Sequence, residues 1–200
     1  MKDTTDISVA VLDKDKTATP TLKNNIQQSR TLPFLLTGLI ILMDQLVKSF
    51  IVKNWPHEGS FIKDVFGNDI FWIIHVRNKA IAFSLGHNLP DTVRPILFVI
   101  LPIIVLGLLL WYYFKSSEFS CLQRWIVTGI IGGGIGNIID RIFRPDGVVD
   151  FISIKFYGIL GMQRWPTFNI ADASVVICCI ILLISIMKDP RMSKTRSHDE

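Results

Sequence analysis

Four long apolar runs dominate the pattern of hydrophobic and polar positions along this chain. Each has about the twenty residues that an α-helix needs to cross the hydrocarbon core of a bilayer. The runs cover approximately residues 32–52, 94–114, 125–142 and 168–187. They predict an α-helical integral membrane protein with four transmembrane helices in one domain, residues 32–187.

The segment between the first two runs, residues 54–92, has a different pattern. Short apolar stretches alternate there with turn-forming residues such as Gly67-Asn68-Asp69. This alternation is typical of short strands joined by tight turns. The apolar stretches are Phe61-Ile62, Val65-Phe66, residues 70–74 and residues 80–85. We therefore expect a small β-sheet, or cradle, in this loop.

Composition and charge support a membrane protein and suggest its orientation. Hydrophobic residues make up 50% of the chain, its net charge is +4, and nine of its 21 lysine and arginine residues lie in the polar ends, residues 1–31 and 188–200. Basic residues flank membrane spans on the cytoplasmic side, so both ends are predicted to be cytoplasmic tails. The loops 54–92 and 143–167 are then extracytoplasmic. Because this charge describes topology, no nucleic-acid partner is expected.

The first tail and the metal-binding residue types add little further chemistry. Residues 1–31 are polar and lack apolar periodicity, so we predict that they are disordered. A cleaved signal peptide would have its apolar core near the start of the chain, which this sequence lacks. The three cysteines and the scattered histidines have none of the spacings of metal ligands. No metal or other cofactor is expected.

The third apolar run changes character within two helical turns. Residues 132–136 include four glycines, which let a neighbouring helix approach closely. Asn137, Asp140 and Arg141 follow at i, i+3 and i+4, and are expected to share one face of the helix. An ionised side chain in hydrocarbon costs about 2.5–3.5 kcal/mol on insertion scales, so such a group indicates a function.

Two other polar positions each allow two interpretations. Asp44 and Lys48 stand four residues apart in the first run, so they can form a functional pair on one helix face. Alternatively, Lys48 extends to the membrane surface and Asp44 only neutralises it. Asn78 lies between two apolar stretches of the first loop, where an asparagine is either a turn residue or part of a site.

Two carboxylates are predicted to lie at the same outer depth of the membrane. The third run leads outward to Asp150, and the fourth begins on that side with Asn169 and Asp172. Neighbouring carboxylates at a low-dielectric boundary do not easily both ionise, so one holds a proton while the other accepts one from water. This is the acid–base division of an aspartic peptidase. The alternative is that both acids are solvated or paired with Arg141 and Arg144.

Other functional classes lack their residues or leave residues without a role. The motifs of serine hydrolases, zincins and P-loop proteins do not occur. A small polar-lined transporter or proton-conducting protein would need polar groups through the whole membrane depth, and the second run has almost none. A purely structural membrane protein would use the glycines for helix packing, but would leave Asp150 and Asp172 unexplained.

Five motifs in order relate the chain to a known family. They are residues 44–48 (Asp-Gln-Leu-Val-Lys), 78–83 (Asn-Lys-Ala-Ile-Ala-Phe), 133–141 (Gly-Gly-Ile-Gly-Asn-Ile-Ile-Asp-Arg), 148–151 (Val-Val-Asp-Phe) and 168–172 (Phe-Asn-Ile-Ala-Asp). Together they resemble lipoprotein signal peptidase, or signal peptidase II. The family usually has Asn-Thr-Gly-Ala-Ala-Phe at the second motif, from which this chain departs. The resemblance implies an aspartic peptidase of the bacterial inner membrane, with four transmembrane helices and an extracytoplasmic β-cradle.

The same resemblance implies roles for individual residues. Asp150 and Asp172 correspond to a catalytic dyad at the outer leaflet, and which of them is the base stays open. The implied reaction removes the signal peptide of a prolipoprotein just before its diacylglyceryl-modified cysteine, using an activated water. Its partners are these prolipoproteins and membrane lipid, and a monomer is expected. Residues expected to support the dyad or position the substrate are Asp44, Lys48, Asn78, Gly136, Asn137, Asp140, Arg141, Asn169 and Ala171.

Overall fold

Four helices in the described part of the chain are long and apolar enough to cross a membrane. The computed structural model describes residues 29–79, 90 and 92–188, so both predicted tails lie almost entirely outside it. The helices are α1 (Phe34–Asn54), α2 (Leu101–Lys115, preceded by a π-helical turn at Ile96–Ile100), α3 (Cys121–Phe143) and α4 (Ile170–Met187). The prediction of four spans is confirmed.

The π-helical turn at the start of the second span has a local cause. Pro102 has no N–H group and therefore cannot donate the helical hydrogen bond to the carbonyl of Phe98. The wider turn ends with the N–H of Leu101 bonded to the carbonyl of Ile96, five residues back. Phe98 is turned inward and is only 5% exposed.

Helix α3 begins at Cys121, four residues before the predicted start of the third span, because its N-terminus is capped. Ser120 accepts a hydrogen bond from the backbone N–H of Gln123, and the Gln123 side chain accepts one from the backbone N–H of Ser120. This capping box satisfies two donors that the first helical turn leaves open. The signal Ser-x-x-Gln lies in the polar connection, outside the apolar run that defined the prediction.

The glycines of α3 bring three helices against it. A Cβ atom at Gly133 would lie 2.4 Å from the carbonyl oxygen of Ala171 in α4, and one at Gly134 would lie 2.8 Å from Leu106 in α2. At Gly136 a Cβ atom would lie 3.0 Å from a carboxylate oxygen of Asp44 in α1. The predicted close approach is confirmed, and α3 contacts all three other spans.

A small antiparallel sheet lies beyond one end of the helices, called here the sheet end. Its strands are β1 (Phe61–Asp64), β2 (Phe71–Asn78) and β3 (Val148–Ile154), in the order β1-β2-β3. The prediction of a small sheet in the first loop is confirmed for β1 and β2, and the second loop adds a third strand, β3. The first four residues of β3 are all buried, so the strand shows no alternation of polar and apolar positions.

Two of the predicted strands of the first loop have other outcomes. Val65 and Phe66 lie in a turn, because the Asp64 carboxylate accepts hydrogen bonds from the backbone N–H groups of Gly67 and Asp69 and ends β1. The apolar stretch at residues 80–85 lies outside the described residues. Asn78 is the last residue of β2 rather than a turn residue.

The sheet is attached to the helices by an apolar cluster and closed by a group of charges. Ile51 of α1 packs with Val149 and Phe151 of β3 in a buried cluster. Farther along the sheet, the Asp69 carboxylate lies 2.7 Å from the Lys155 ammonium and 3.0 Å from the Arg164 guanidinium. We call Asp69, Lys155 and Arg164 the sheet ion cluster. It ties the β1–β2 turn to the segment after β3.

Candidate active site

Lys48 lies at the centre of a group of fully buried charges between α1 and α3. Its ammonium is 2.7 Å from an Asp44 oxygen and 3.0 Å from an Asp140 oxygen, and it donates to the Asn137 carbonyl at 3.1 Å. All three of its N–H donors therefore have acceptors. We call Asp44, Lys48 and Asp140 the buried ion cluster, since each is 0% exposed. The predicted pairing of Asp44 with Lys48 is confirmed, and the alternative that Lys48 extends to the surface is wrong.

The two carboxylates of the buried ion cluster also hold backbone groups of two other elements. Asp44 accepts a hydrogen bond from the N–H of Ala171 at 3.0 Å, and Asp140 accepts one from the N–H of Val149 at 3.1 Å. Each of these amides directly precedes an aspartate, Asp172 in one case and Asp150 in the other. One group of charges therefore fixes the backbone beside both members of the predicted dyad.

Two residues that the sequence analysis did not select complete this group. The Gln45 side chain donates to Asp140 at 3.0 Å and to the carbonyl of Gly136 at 3.1 Å. Arg144 donates to Asp140 and to the Gln45 side-chain carbonyl. The signal for Gln45 was its place between Asp44 and Lys48 in the first motif. A glutamine at i+1 points off the Asp44–Lys48 face, which is why spacing along one helix does not select it.

The orientation of the Asn137 amide follows from its neighbours. Lys48 can only donate, so the Asn137 oxygen must face it and the amide nitrogen must point the other way. That nitrogen donates to Asp172 at 2.6 Å. The lysine thus determines which end of Asn137 reaches the Asp172 carboxylate.

Asn169 connects the two candidate catalytic aspartates. Its side-chain oxygen accepts from the backbone N–H of Asp172 at 2.9 Å, and the Asp172 carboxylate accepts from the backbone N–H of Asn169. This capping box starts α4. Because the oxygen is committed to the cap, the Asn169 amide nitrogen is free to donate, and it bonds Asp150 at 2.7 Å. The predicted meeting of Asp150 and Asp172 therefore occurs through one asparagine.

Asp150 lies in β3 opposite Val76 of β2 and is 2% exposed. Its second oxygen accepts a hydrogen bond from the Asn78 amide at 2.9 Å, so Asn78 is part of the site. Burial raises the pKa of Asp150 to about 7, with a further contribution from the negative charge of Asp172. The amides of Asn78 and Asn169 act in the opposite direction. Asp150 is therefore able to hold a proton near neutral pH.

We expected Arg141 to share one helix face with Asn137 and Asp140, but its contacts differ from theirs. At about 100° per residue, Asp140 and Arg141 lie on opposite flanks of the Asn137 direction. Asp140 faces α1, whereas the Arg141 guanidinium lies 5.9 Å from the ring centre of Phe98, at the start of the second span. Arg141 still interacts electrostatically with Asp172 and Asp150.

The arrangement combines the parts needed for acid–base hydrolysis. One carboxylate lies in a buried strand, where the neutral form is favoured, and the other lies in the first turn of a helix, where the helix dipole favours a negative charge. Three asparagine amides hold both carboxylates in fixed orientations. Within residues 29–79, 90 and 92–188, no group of three His, Cys, Asp or Glu side chains is placed to hold a metal ion.

Comparison with known proteins gives one consistent result. The family model described as signal peptidase (SPase) II matches residues 36–188. The chain is 44% identical to the lipoprotein signal peptidase of Treponema pallidum (strain Nichols), over 83% of this chain and 88% of that protein. It is 45% identical to the lipoprotein signal peptidase of Treponema denticola, over 82% and 92% of the two chains.

A solved structure supports the same relationship. It is described as a bacterial membrane enzyme determined by the in meso method at 1.9 Å resolution. The similarity has a TM-score of 0.65 at 26% identity and covers 79% of this chain and 94% of that one.

Proposed function

The chain belongs to the signal peptidase II family, and on that premise we propose that it removes signal peptides from prolipoproteins by hydrolysis just before the diacylglyceryl-modified cysteine. The relatives named lipoprotein signal peptidase support this function over most of the chain length. The observation that carries the proposal is the bridge at Asn169. Its side-chain oxygen caps α4 by accepting from the backbone N–H of Asp172, and its amide nitrogen donates to Asp150. Because both carboxylates accept hydrogen bonds from this one residue, they lie near each other and can act as an acid–base pair. Nothing in the described residues favours the transporter alternative.

The proposed catalysis is of the aspartic type, with different roles for the two acids. Asp150 holds the proton, since burial raises its pKa to about 7. Asp172 is the base, since it lies at the N-terminus of α4 and accepts hydrogen bonds from Asn137 and from the backbone of Asn169.

The reaction proceeds without a covalent bond between the enzyme and the substrate. Asp172 takes a proton from water as the water oxygen adds to the scissile carbonyl carbon, and Asp150 gives its proton to the carbonyl oxygen. The C–N bond then breaks as Asp172 passes its proton to the leaving nitrogen and a hydroxyl of the tetrahedral intermediate returns a proton to Asp150. The remaining acid proton of the new carboxyl group passes to the amine. The products are a carboxylate on the signal peptide and an ammonium group on the lipidated cysteine. The pair ends with one proton, as it began.

The proposed setting is the bacterial inner membrane, with both termini cytoplasmic and the sheet end at the outer leaflet. The basic ends of the chain support this orientation. The diacylglyceryl chains of the substrate would stay in lipid while its peptide bond reaches the dyad, which explains a hydrolytic site at the membrane boundary. The acids, amides and buried lysine of the site all come from one chain, so we propose that the monomer is active. The orientation is tested by placing a single cysteine at Gly67, in a background without the native cysteines, and labelling it from outside intact cells with a membrane-impermeant thiol reagent.

The central test is a cleavage assay with the purified protein and a diacylglyceryl-modified prolipoprotein peptide. The wild type should release the signal peptide, whereas Asp150→Asn and Asp172→Asn should each lower turnover by about 10³-fold, within the range of general acid–base catalysis. Asp146→Asn, in the turn before β3, is the matched control and should stay within about twofold. Normal cleavage by either dyad variant, with the protein folded, would remove the aspartic assignment.

A further inference from the structure

A pocket of ≈ 240 Å³ opens next to the dyad, between the end of β2, the start of the second span and the end of α3. Asn78 forms part of its wall, and the Asn78 amide also bonds Asp150 at 2.9 Å. The pocket is therefore separated from a catalytic carboxylate by a single side chain. Arg141, which interacts electrostatically with both aspartates, forms another part of the wall.

The charge of this pocket is opposite to that of the dyad. Its lining includes Lys79, Arg94, Arg141 and Arg144, and none of the described lining residues is acidic. Arg144 is already bonded to Asp140 and Ser49, so it borders the pocket while belonging to the group around Lys48. Lys79, Arg94 and Arg141 are the cationic groups that the pocket adds to the site.

The pocket wall is also rigid where it meets the dyad. Gly147 has a φ of +105°, and a Cβ atom there would lie 2.6 Å from the backbone oxygen of Asn78. The peptide that joins Asn78 to Lys79 is thus packed directly on Gly147, which fixes the start of the Lys79 side chain. Apart from Arg94, the residues that the second span contributes to the lining are apolar: Pro95, Phe98 and Val99. The pocket therefore combines positive charge with an apolar surface.

We propose that this pocket binds the carboxylate that hydrolysis creates at the end of the signal peptide. The inference rests on the proposed function, because only cleavage between the two aspartates generates that group. When the water oxygen adds and the C–N bond breaks, the new carboxylate arises beside an ionised aspartate, which repels it. The adjacent pocket attracts a carboxylate and repels the ammonium group of the other product. The two products are therefore drawn apart.

The peptide carboxylate fits the pocket better than a phospholipid phosphate does. Arg141 faces the dyad and the pocket at once, so the cationic lining begins where the carboxylate forms. The apolar wall of the second span suits the hydrophobic residues of a signal peptide that ends at this point. Lys79 strengthens the site in this chain, since the family motif usually has threonine there.

The test compares two synthetic signal-peptide fragments that end at the residue before the lipidated cysteine, one with a free carboxylate and one with a C-terminal amide. Both are added as inhibitors of cleavage by the full-length protein. We expect the acid to inhibit at least about tenfold more strongly than the amide, about 1.4 kcal/mol. In Lys79→Gln/Arg94→Gln this ratio should fall to about twofold or less.

Lys53→Gln removes an exposed cation from the last turn of α1, outside the pocket lining, and should keep the tenfold ratio. Equal inhibition by acid and amide in the wild type overturns the inference, even if the double variant fails to fold. So does an unchanged ratio in a folded double variant. A wild-type ratio of one together with stimulation by phosphatidylglycerol would assign the pocket to lipid instead. Failure of the proposed function is a separate result, since it would appear as no cleavage at all.

Discussion

The buried ion cluster and the sheet ion cluster use the same chemistry in opposite surroundings. In the first, Lys48 joins two aspartates, and all three side chains are 0% exposed. In the second, Asp69 joins a lysine and an arginine, and the side chains are 44%, 31% and 20% exposed. Distances are alike, from 2.7 to 3.0 Å in both. The difference lies in burial and in what else each group holds.

Burial decides how much each group depends on its partners. A charge without a partner in the interior costs several kcal/mol, whereas water and salt compensate an exposed one. The buried ion cluster also holds the backbone N–H groups of Ala171 and Val149, beside Asp172 and Asp150. The sheet ion cluster holds a turn and a loop. We infer that the first sets the geometry of the reaction and that the second fastens the sheet.

Replacing the central charge of the buried ion cluster should have the largest effect. Lys48→Met leaves Asp44 and Asp140 buried without their shared cation, at a cost of roughly 3–5 kcal/mol, and releases Asn137 from its fixed orientation. We expect a large fall of the unfolding temperature in detergent and loss of at least about 10²-fold in cleavage. The matched change Lys155→Met in the sheet ion cluster should cost about 1 kcal/mol or less.

Partial rescue would identify charge as the cause. Lys48→Met combined with Asp44→Asn removes one of the two buried negative charges, so it should recover part of the stability that Lys48→Met loses. If the double variant is less stable than the single variant by the full cost of Asp44→Asn, the cluster is not an electrostatic unit. Equal losses in Lys48→Met and Lys155→Met would also contradict the comparison.

The amide that joins the aspartates should come next. Asn169→Ser keeps an oxygen that can cap α4 but lacks the amide nitrogen that reaches Asp150. We expect about a hundredfold loss of cleavage with about 1 kcal/mol or less of lost stability, because a misplaced catalytic group affects rate more than folding. Asn169→Ala should lose the same activity and a further ~1 kcal/mol from the cap.

Asn68→Ala is the control within the sheet. Its side chain accepts a hydrogen bond from the backbone of Ile70 in the exposed turn between β1 and β2. Its removal should leave cleavage within about twofold. Similar activity losses at Asn68 and Asn169 would mean that these asparagines act through general stability, and the positional argument would fail.

The pH dependence of stability and of cleavage should distinguish the dyad from the sheet. Asp150 has its pKa raised to about 7 from 3.8. Between those values the folded protein keeps a proton that the unfolded chain releases, so stability falls as pH rises through this window, by up to about 4 kcal/mol. Above pH 7 cleavage should also fall as Asp150 loses the proton it donates.

Unfolding temperatures measured from about pH 4 to about pH 8 test this sign. The decrease with rising pH should be smaller in Asp150→Asn than in the wild type. Asp64, the last residue of β1, has its pKa lowered first by a backbone hydrogen bond from Asp69, so its contribution to stability is lost on the acid side. A wild-type protein that gains stability from pH 4 to pH 7, with Asp150→Asn unchanged, would contradict the assignment.

The two regions also differ in how far the sequence predicts them. Asp44 and Lys48 lie four residues apart on one helix, so their pairing could be predicted from helix geometry alone. Their contacts with Asp140 and Ala171 depend on how α3 and α4 pack against α1, which local spacing does not specify. The family motifs located these residues without giving their contacts.

The pairing of the sheet strands, by contrast, could not be predicted from the local sequence. Pairing of β2 with β3 joins Asn78 to a strand that begins at Val148, and such long-range pairing leaves no local signal. Val148–Ile154 is buried in its first four residues, so the period-two pattern that marks an exposed strand is absent. The local pattern around Asn78 therefore could not decide between a turn residue and a site residue, whereas in the structure its amide donates to Asp150.

The smallest expected effect is at Asp69, and it tests whether the sheet ion cluster only fastens the sheet. Asp69→Asn removes the charge that pairs with Lys155 and Arg164, but Arg164 keeps its hydrogen bonds to the side chain and backbone of Ser153. Its guanidinium also stays 3.7 Å from the ring centre of Trp72, so the arginine remains in place.

Because these charges are 20–44% exposed, we expect Asp69→Asn to cost about 1 kcal/mol or less and to change cleavage by less than about twofold. The difference in unfolding temperature between variant and wild type should shrink further in about 1 M salt, which screens exposed pairs and leaves the buried ion cluster largely unaffected. The positive φ of 64° at Asp69 is also tolerated by asparagine, so backbone strain should not add to the effect. A loss of cleavage near that of Asn169→Ser, at normal stability, would mean that the sheet ion cluster positions the dyad through β3, and the division between the two regions would no longer hold.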